Sequence, residues 1–76
     1  MNRAEHLAWA KQRALEYVDD GDLQSAYASL ASDLTKHRDT RTDPVLQRRV
    51  QAGMERLVDG ELRTPEEMRR YIEAYE

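Results

Sequence analysis

Apolar positions along this chain recur at three- and four-residue intervals and nowhere alternate over a useful length, which predicts helices and no sheet. The first stripe is Leu7, Ala14, Leu15 and Val18, with Ala4 and Ala8 beside it. Asn2 stands at the cap position, and Glu5 three residues on can bond back to it, so the helix should start just after Asn2. Gly21 should end it, because glycine accepts the left-handed conformation that a helix C-terminus favours. A second stripe follows in Leu23, Ala26, Tyr27, Leu30, Leu34 and His37, with Asp22 as its cap. The link Asp20-Gly21-Asp22 is so short that the two helices must be antiparallel neighbours, an αα-hairpin. Residues 38–43 are polar and aperiodic and read as the longest loop. Asp43-Pro44 then opens a helix whose buried face is marked by Leu46, Val50, Met54 and Leu57, and Gly60 closes it. Thr64-Pro65-Glu66-Glu67 is the clearest helix start in the chain, and Met68, Ile72 and Tyr75 line the helix that follows, with Tyr71 alongside. The pattern predicts an all-α chain: four short amphipathic helices over about 3–20, 22–37, 44–59 and 65–75, in a small bundle forming one domain over 1–76.

Composition narrows this further. Charged residues are 36 % of the 76 and hydrophobic ones 39 %, and the periodicity of the latter weighs against disorder. Nine of the apolar residues are alanines, which bury little area, so the domain should be marginally stable alone or gain from dimerisation. No apolar run approaches the roughly 20 residues needed to span a bilayer. The opening residues Met1 to His6 lack the apolar stretch of a secretory signal, and the expected location is cytoplasmic. Cysteine is absent, which excludes disulfides and thiolate metal sites. The net charge of −3 argues against a general nucleic-acid binder, but the charge is uneven. Residues 36–56 carry six basic and three acidic groups, between flanking segments that each carry three basic and six acidic.

Little in the sequence points to bond-making chemistry. Asp19, Asp20 and Asp22 crowd the hairpin turn, but Val18 and Tyr27 stand where a calcium loop needs oxygen ligands, so Asp22 reads as a cap and the others as solvated. The hairpin should bring His6 roughly opposite His37, a geometry that could hold a metal or do acid–base work. The simpler reading places His37 on the buried stripe at a helix end, bonding free carbonyls, and His6 off the stripe. No phosphate-binding glycine loop and no serine beside a histidine is present, so no catalytic, cofactor or metal residue is assigned and an enzyme is not expected.

Two surfaces remain as candidate partner sites. Trp9 lies about 200° around the helix from Leu7, either packed under a third helix or exposed near Arg13 and Tyr17 as an interface anchor. Arg49 and Arg56 stack one above the other on the third predicted helix with Arg48 alongside, a face that could grip phosphates or, better, an acidic protein surface. No aromatic is interleaved with these arginines in sequence.

The segment containing Ala14, Tyr17, Gly21-Asp22, Ala26 and Leu30 resembles the inner part of one tetratricopeptide repeat, which implies no more than a close-packed αα-hairpin, since such arrays need about three copies. A longer resemblance runs through Arg3-Ala4-Glu5-His6-Leu7, Lys11-x-Arg13-Ala14-Leu15-Glu16-Tyr17-Val18, Gly21-Asp22-Leu23 and Ala31-Ser32-Asp33-Leu34-x-Lys36-His37. It continues through Gly53-Met54, Gly60-x-Leu62-x-Thr64-Pro65-Glu66-Glu67-Met68-Arg69-Arg70 and Tyr71-Ile72. These residues resemble a family of small bacteriophage- and prophage-encoded proteins without an assigned biochemical function. The resemblance implies a source and a length but no activity. That family often has proline where this chain has Arg38, which leaves the end of the second helix open. The expectation is therefore a small helical interaction protein that binds a protein partner, host-encoded if the source is a phage, or itself, through Trp9, Arg13 and Tyr17 or through Arg48, Arg49 and Arg56. A nucleic-acid accessory role for the arginine face is the alternative.

Overall fold

The computed structural model describes residues 1–76 and is helical throughout, with no strand. Five helices follow one another: α1 Arg3–Asp19, α2 Leu23–Asp33, α3 Arg38–Arg41, α4 Pro44–Val58 and α5 Pro65–Glu73. The all-α reading holds, but the count of four is one short, because the segment taken as a loop contains the single turn α3.

The caps are made as the sequence suggests. Asn2 accepts from the Glu5 N–H and donates its own N–H to the Glu5 carboxylate, a reciprocal box. Thr64 accepts from the Glu67 N–H, and Asp43 accepts from the N–H groups of Val45 and Leu46. Both α1 and α4 end in the same motif. Gly21 (φ +77°) and Gly60 (φ +89°) turn left-handed, and the next N–H groups, of Asp22 and Glu61, reach back to the carbonyls of Tyr17 and Arg56.

Helix α2 stops at Asp33, four residues before the predicted His37. The apolar stripe does continue through Leu34, yet two hydroxyls draw the backbone out of register. Thr35 Oγ1 donates to the Ser32 carbonyl, and buried Thr40 Oγ1 donates to the carbonyls of Leu34 and His37. His37 is thereby freed to cap α3, its Nδ1 accepting from the Asp39 N–H. Neither threonine lies on the stripe, so periodicity gave no warning.

Helices α1, α2 and α5 pack on one another, and the contact of α1 with α2 is the most extensive. The buried face of α1 is His6, Leu7, Ala10, Ala14 and Val18, rotated from the predicted stripe, so that Leu15 is half-buried and Ala4 and Ala8 are exposed. Alanines 10, 14 and 26 are fully buried where the two helices approach, and Leu30, Leu34, Leu46, Met68 and Ile72 complete the apolar centre. His6 was expected off this face; instead it is 5 % exposed, because its Nε2 donates to the Asp33 carbonyl at the end of α2. Leu62 adopts a left-handed φ of +58° and is 1 % exposed, so burial of its side chain holds a backbone conformation that leucine otherwise avoids. No helix is long and apolar enough to cross a membrane.

Helix α4 is attached differently. Its predicted buried face is only partly so: Leu46 is buried, Val50 and Leu57 are half-buried, and Met54 is 48 % exposed. The space between α4 and its neighbours is filled by tyrosines rather than by meshed aliphatic rows. Tyr27 from α2 donates to the Val50 carbonyl, and Tyr71 from α5 donates to the Arg49 carbonyl. The Tyr71 hydroxyl and the Tyr27 ring both approach Gly53, where an added Cβ would collide with the Tyr71 hydroxyl and lie 3.0 Å from the Tyr27 ring. Gly53 is the one mid-helix residue that leaves this space open.

A candidate anion-binding groove between α4 and α5

Arg49, Ala52, Gly53 and Arg56 form one wall of a groove of about 460 Å³, and Glu67, Arg70, Tyr71, Ala74 and Tyr75 form the other. The periodicity of two helices builds it. On α4 the arginines stand seven residues apart with the small Ala52 and Gly53 between them. On α5, Glu67, Arg70, Tyr71 and Ala74 follow the spacing of a second face beside the buried Met68 and Ile72. The lack of side-chain bulk at 52, 53 and 74 gives the groove its depth.

Its floor is phenolic. Tyr71 and Tyr75 meet edge to face with ring centroids 5.2 Å apart, and their hydroxyls are hydrogen-bonded to each other. Burial pushes the pKa of both phenols up, and of Tyr27 behind them, so the floor is uncharged and the guanidinium groups carry the local charge. Arg49 lies 6.0 Å from the Tyr75 ring and Arg56 5.9 Å from the Tyr71 ring, distances at the outer limit of cation–π attraction. The aromatics missing among the arginines in sequence are thus supplied by α5 through the fold.

Each arginine keeps donors in reserve. Arg49 spends one Nη on the Ala74 carbonyl, Arg56 spends its Nε on Glu61, and the Arg70 side chain bonds to nothing within the chain. A guanidinium has five N–H donors, so most of the fifteen remain for an incoming oxyanion. One carboxylate, Glu67, stands among the three cations.

The predicted partner residues divide between two places. Arg49 and Arg56 enter this groove, whereas Arg48 is exposed on α4 outside its lining. Arg70 joins them and was not predicted, although its spacing with Glu67 and Ala74 on one helical face was available in the sequence. Trp9, Arg13 and Tyr17 lie on α1, outside this groove. Trp9 is half-buried, tilted against His6 at 5.2 Å and covered by the Arg13 guanidinium at 4.9 Å. It is held beside the end of α2 and not beneath a third helix. Arg13 also binds Asp33, which is 1 % exposed and takes a second cation from Lys36. The Arg13 charge is therefore committed inside the chain, and Tyr17 beside it is 38 % exposed.

The two imidazoles do meet, with ring centroids 5.1 Å apart. Three of their four nitrogens are occupied by backbone: His6 Nε2 donates to the Asp33 carbonyl, His37 Nε2 donates to the Met1 carbonyl, and His37 Nδ1 caps α3. No group of three or more His, Asp or Glu side chains is arranged to hold a metal ion. Compared with protein-family models, curated proteins and solved structures, the chain matches none of them. Function must be argued from its own residues.

Proposed function

We propose that this chain is a small interaction protein, of phage or prophage origin, that binds an acidic segment of a protein partner in the groove between α4 and α5. The convergence of Arg49, Arg56 and Arg70 on one groove carries this reading. Planar guanidinium groups with spare donors match carboxylates in bidentate pairs, the phenolic floor is uncharged, and Glu67 is the one carboxylate of the lining that competes for the three cations. A peptide of alternating acidic and apolar residues suits the groove best, since Ala52, Gly53 and Ala74 lie between the arginines. The work is done by contact, with specificity from charge complementarity around an apolar strip.

The test is a chemical-shift titration of the labelled protein with a short Glu/Asp-rich peptide. Shifts should concentrate on Gly53, Ala74 and the arginine side chains, and should be lost in Arg70→Gln. Shifts spread evenly over the surface, or unchanged in that variant, would refute the groove. A nucleic-acid reading is favoured by one feature, the pairing of Arg49 and Arg56 with tyrosine rings. Titration with a single-stranded oligonucleotide separates the two: binding that falls steeply with salt and outcompetes the peptide would favour the nucleic acid.

A further inference from the structure

We infer that His37 is an acid-sensitive latch, and that a proton taken up by its ring opens the single turn α3 at the corner between α2 and α4. Both ring nitrogens of His37 are bonded, and the two bonds ask opposite things of them. Nε2 lies 2.7 Å from the Met1 carbonyl, which can only accept, so Nε2 carries hydrogen. Nδ1 lies 3.1 Å from the Asp39 backbone nitrogen, whose N–H can only donate, so Nδ1 must offer a lone pair. The partners thus fix the neutral ring with its hydrogen on Nε2. A helix cap is ordinarily a side-chain oxygen, and the oxygen of serine, threonine or asparagine keeps its lone pairs at every pH in the neutral range. An imidazole in the same place gives up its lone pair when it is protonated. Nδ1–H would then face the Asp39 N–H, two donors with no acceptor between them, and the cap would be lost. The bond to Met1 survives, because Nε2 keeps its hydrogen.

The surroundings decide how much moves. The His37 carbonyl accepts from the N–H groups of Thr40 and Arg41 and from Thr40 Oγ1, so the turn is built on the residue whose ring must leave the cap. Thr40 is buried and also bonded to the Leu34 carbonyl, whereas Arg38, Asp39 and Arg41 are exposed. The outer side of the corner is therefore the part free to open. His6 of α1 faces the ring, with centroids 5.1 Å apart, and its own Nε2 is committed to the Asp33 carbonyl. The other charged groups on the elements that meet here are of both signs. Asp33 is paired with Lys36 and with Arg13 of α1, Arg3 is paired with Asp43, and Glu5 accepts from the Asn2 N–H. Arg38 and Asp39 stand on α3, and the Met1 amino group lies on the residue whose carbonyl holds Nε2. Among these carboxylates only Asp39 has no partner within the chain, and its own N–H is the one that a charged ring would turn away from.

Nuclear magnetic resonance of the intact chain tests this. The imidazole nitrogens, the Asp39 amide and the carbon shifts of residues 38–41 would be followed from about pH 8 to about pH 5, the range in which an imidazole ordinarily changes charge. At the upper end His37 should carry hydrogen on Nε2 alone. As Nδ1 takes up its proton, the Asp39 amide should move with the same midpoint and the helical carbon shifts of α3 should be lost, with those of α1 and α5 retained. His37→Asn keeps an acceptor at the cap that does not titrate, so its α3 should stay helical at the acid end. Asp39→Asn should open as the parent does, which separates the ring from the Asp39 carboxylate. His6→Gln should open too, which separates the two imidazoles. An α3 that stays helical once His37 is fully protonated, or an Asp39 amide that does not follow the ring, would overturn the latch. Both are read on the parent and stand whether or not His37→Asn folds. Unwinding of α3 over the same range in His37→Asn, or its loss of acid response in Asp39→Asn or His6→Gln, would overturn it as well.

Discussion

Helices α1, α2 and α5 are joined to one another backbone to backbone, whereas α4 is held at a distance by aromatic rings. In the first region alanines at 10, 14 and 26 let main chains approach, and leucines fill what is left. In the second, Tyr27 and Tyr71 reach across to α4 and donate to carbonyls that already serve its own helix. Close apolar packing yields an interior that excludes everything. A helix mounted on phenols leaves concave space on both sides, about 460 Å³ toward α5 and about 820 Å³ toward α2. The concavities along α1 and α2 are smaller, about 260 and 270 Å³.

Four substitutions or conditions sharpen this contrast, and their effects should descend in size. Leu30→Ala removes a fully buried side chain from the close-packed region and should cost about 2–5 kcal/mol, comparable to the whole stability of a domain this small. Thermal unfolding should show little or no folded population. Gly53→Ala acts on the phenol-mounted helix. It gains about 1 kcal/mol of helix propensity but drives a methyl into the Tyr71 hydroxyl, for a net loss of about 1–3 kcal/mol. Its signature should be faster amide exchange in α4 with α1 and α2 little changed; a uniform increase would mean that the two regions do not differ. Tyr27→Phe keeps the ring and loses one hydrogen bond, so denaturant unfolding should register about 1 kcal/mol.

The smallest effect is electrostatic and joins the two regions. Arg3 of α1 pairs with Asp43, the cap of α4, at 2.9 Å, and that side-chain bond, helped by the Leu46 N–H, holds the Asp43 carboxyl below its ordinary value. A depressed folded-state pKa means that the carboxylate's contribution is full above the unfolded-state pKa and is lost as pH falls through the folded-state one. Stability should therefore decline at acid pH with a slope that Asp43→Asn reduces. An unchanged slope would show that the pair does not contribute.

What was legible was local, and it lay in both regions. Caps at Asn2, Asp22, Asp43 and Thr64, stops at Gly21 and Gly60 and the leucine stripes are local signals, each contained within a few residues, and they located four of the helices. What escaped depends on residues far apart in sequence. The end of α2 is decided by Thr40, seven residues beyond it, and the burial of His6 is decided by a carbonyl on another helix. The predicted burial of Met54 assumed that α4 sits as close to its neighbours as α1 does; the intervening tyrosines prevent that. Of the arginine groove, one wall could be read from the spacing of Arg49 and Arg56. The other wall, with Arg70 and the two phenols, became adjacent only on folding.

The hydroxyl of Tyr71 resting on the Arg49 carbonyl has a consequence for how such a groove changes over time. Its width is gauged by a rigid six-membered ring and not by pliable aliphatic chains, so it cannot be trimmed by small increments. Phenylalanine at 71 would preserve the span but loosen its anchor, leucine would let the walls collapse, and intermediate openings have no residue to prop them. Substitution at that position should therefore change the opening of the groove in jumps and not by degrees.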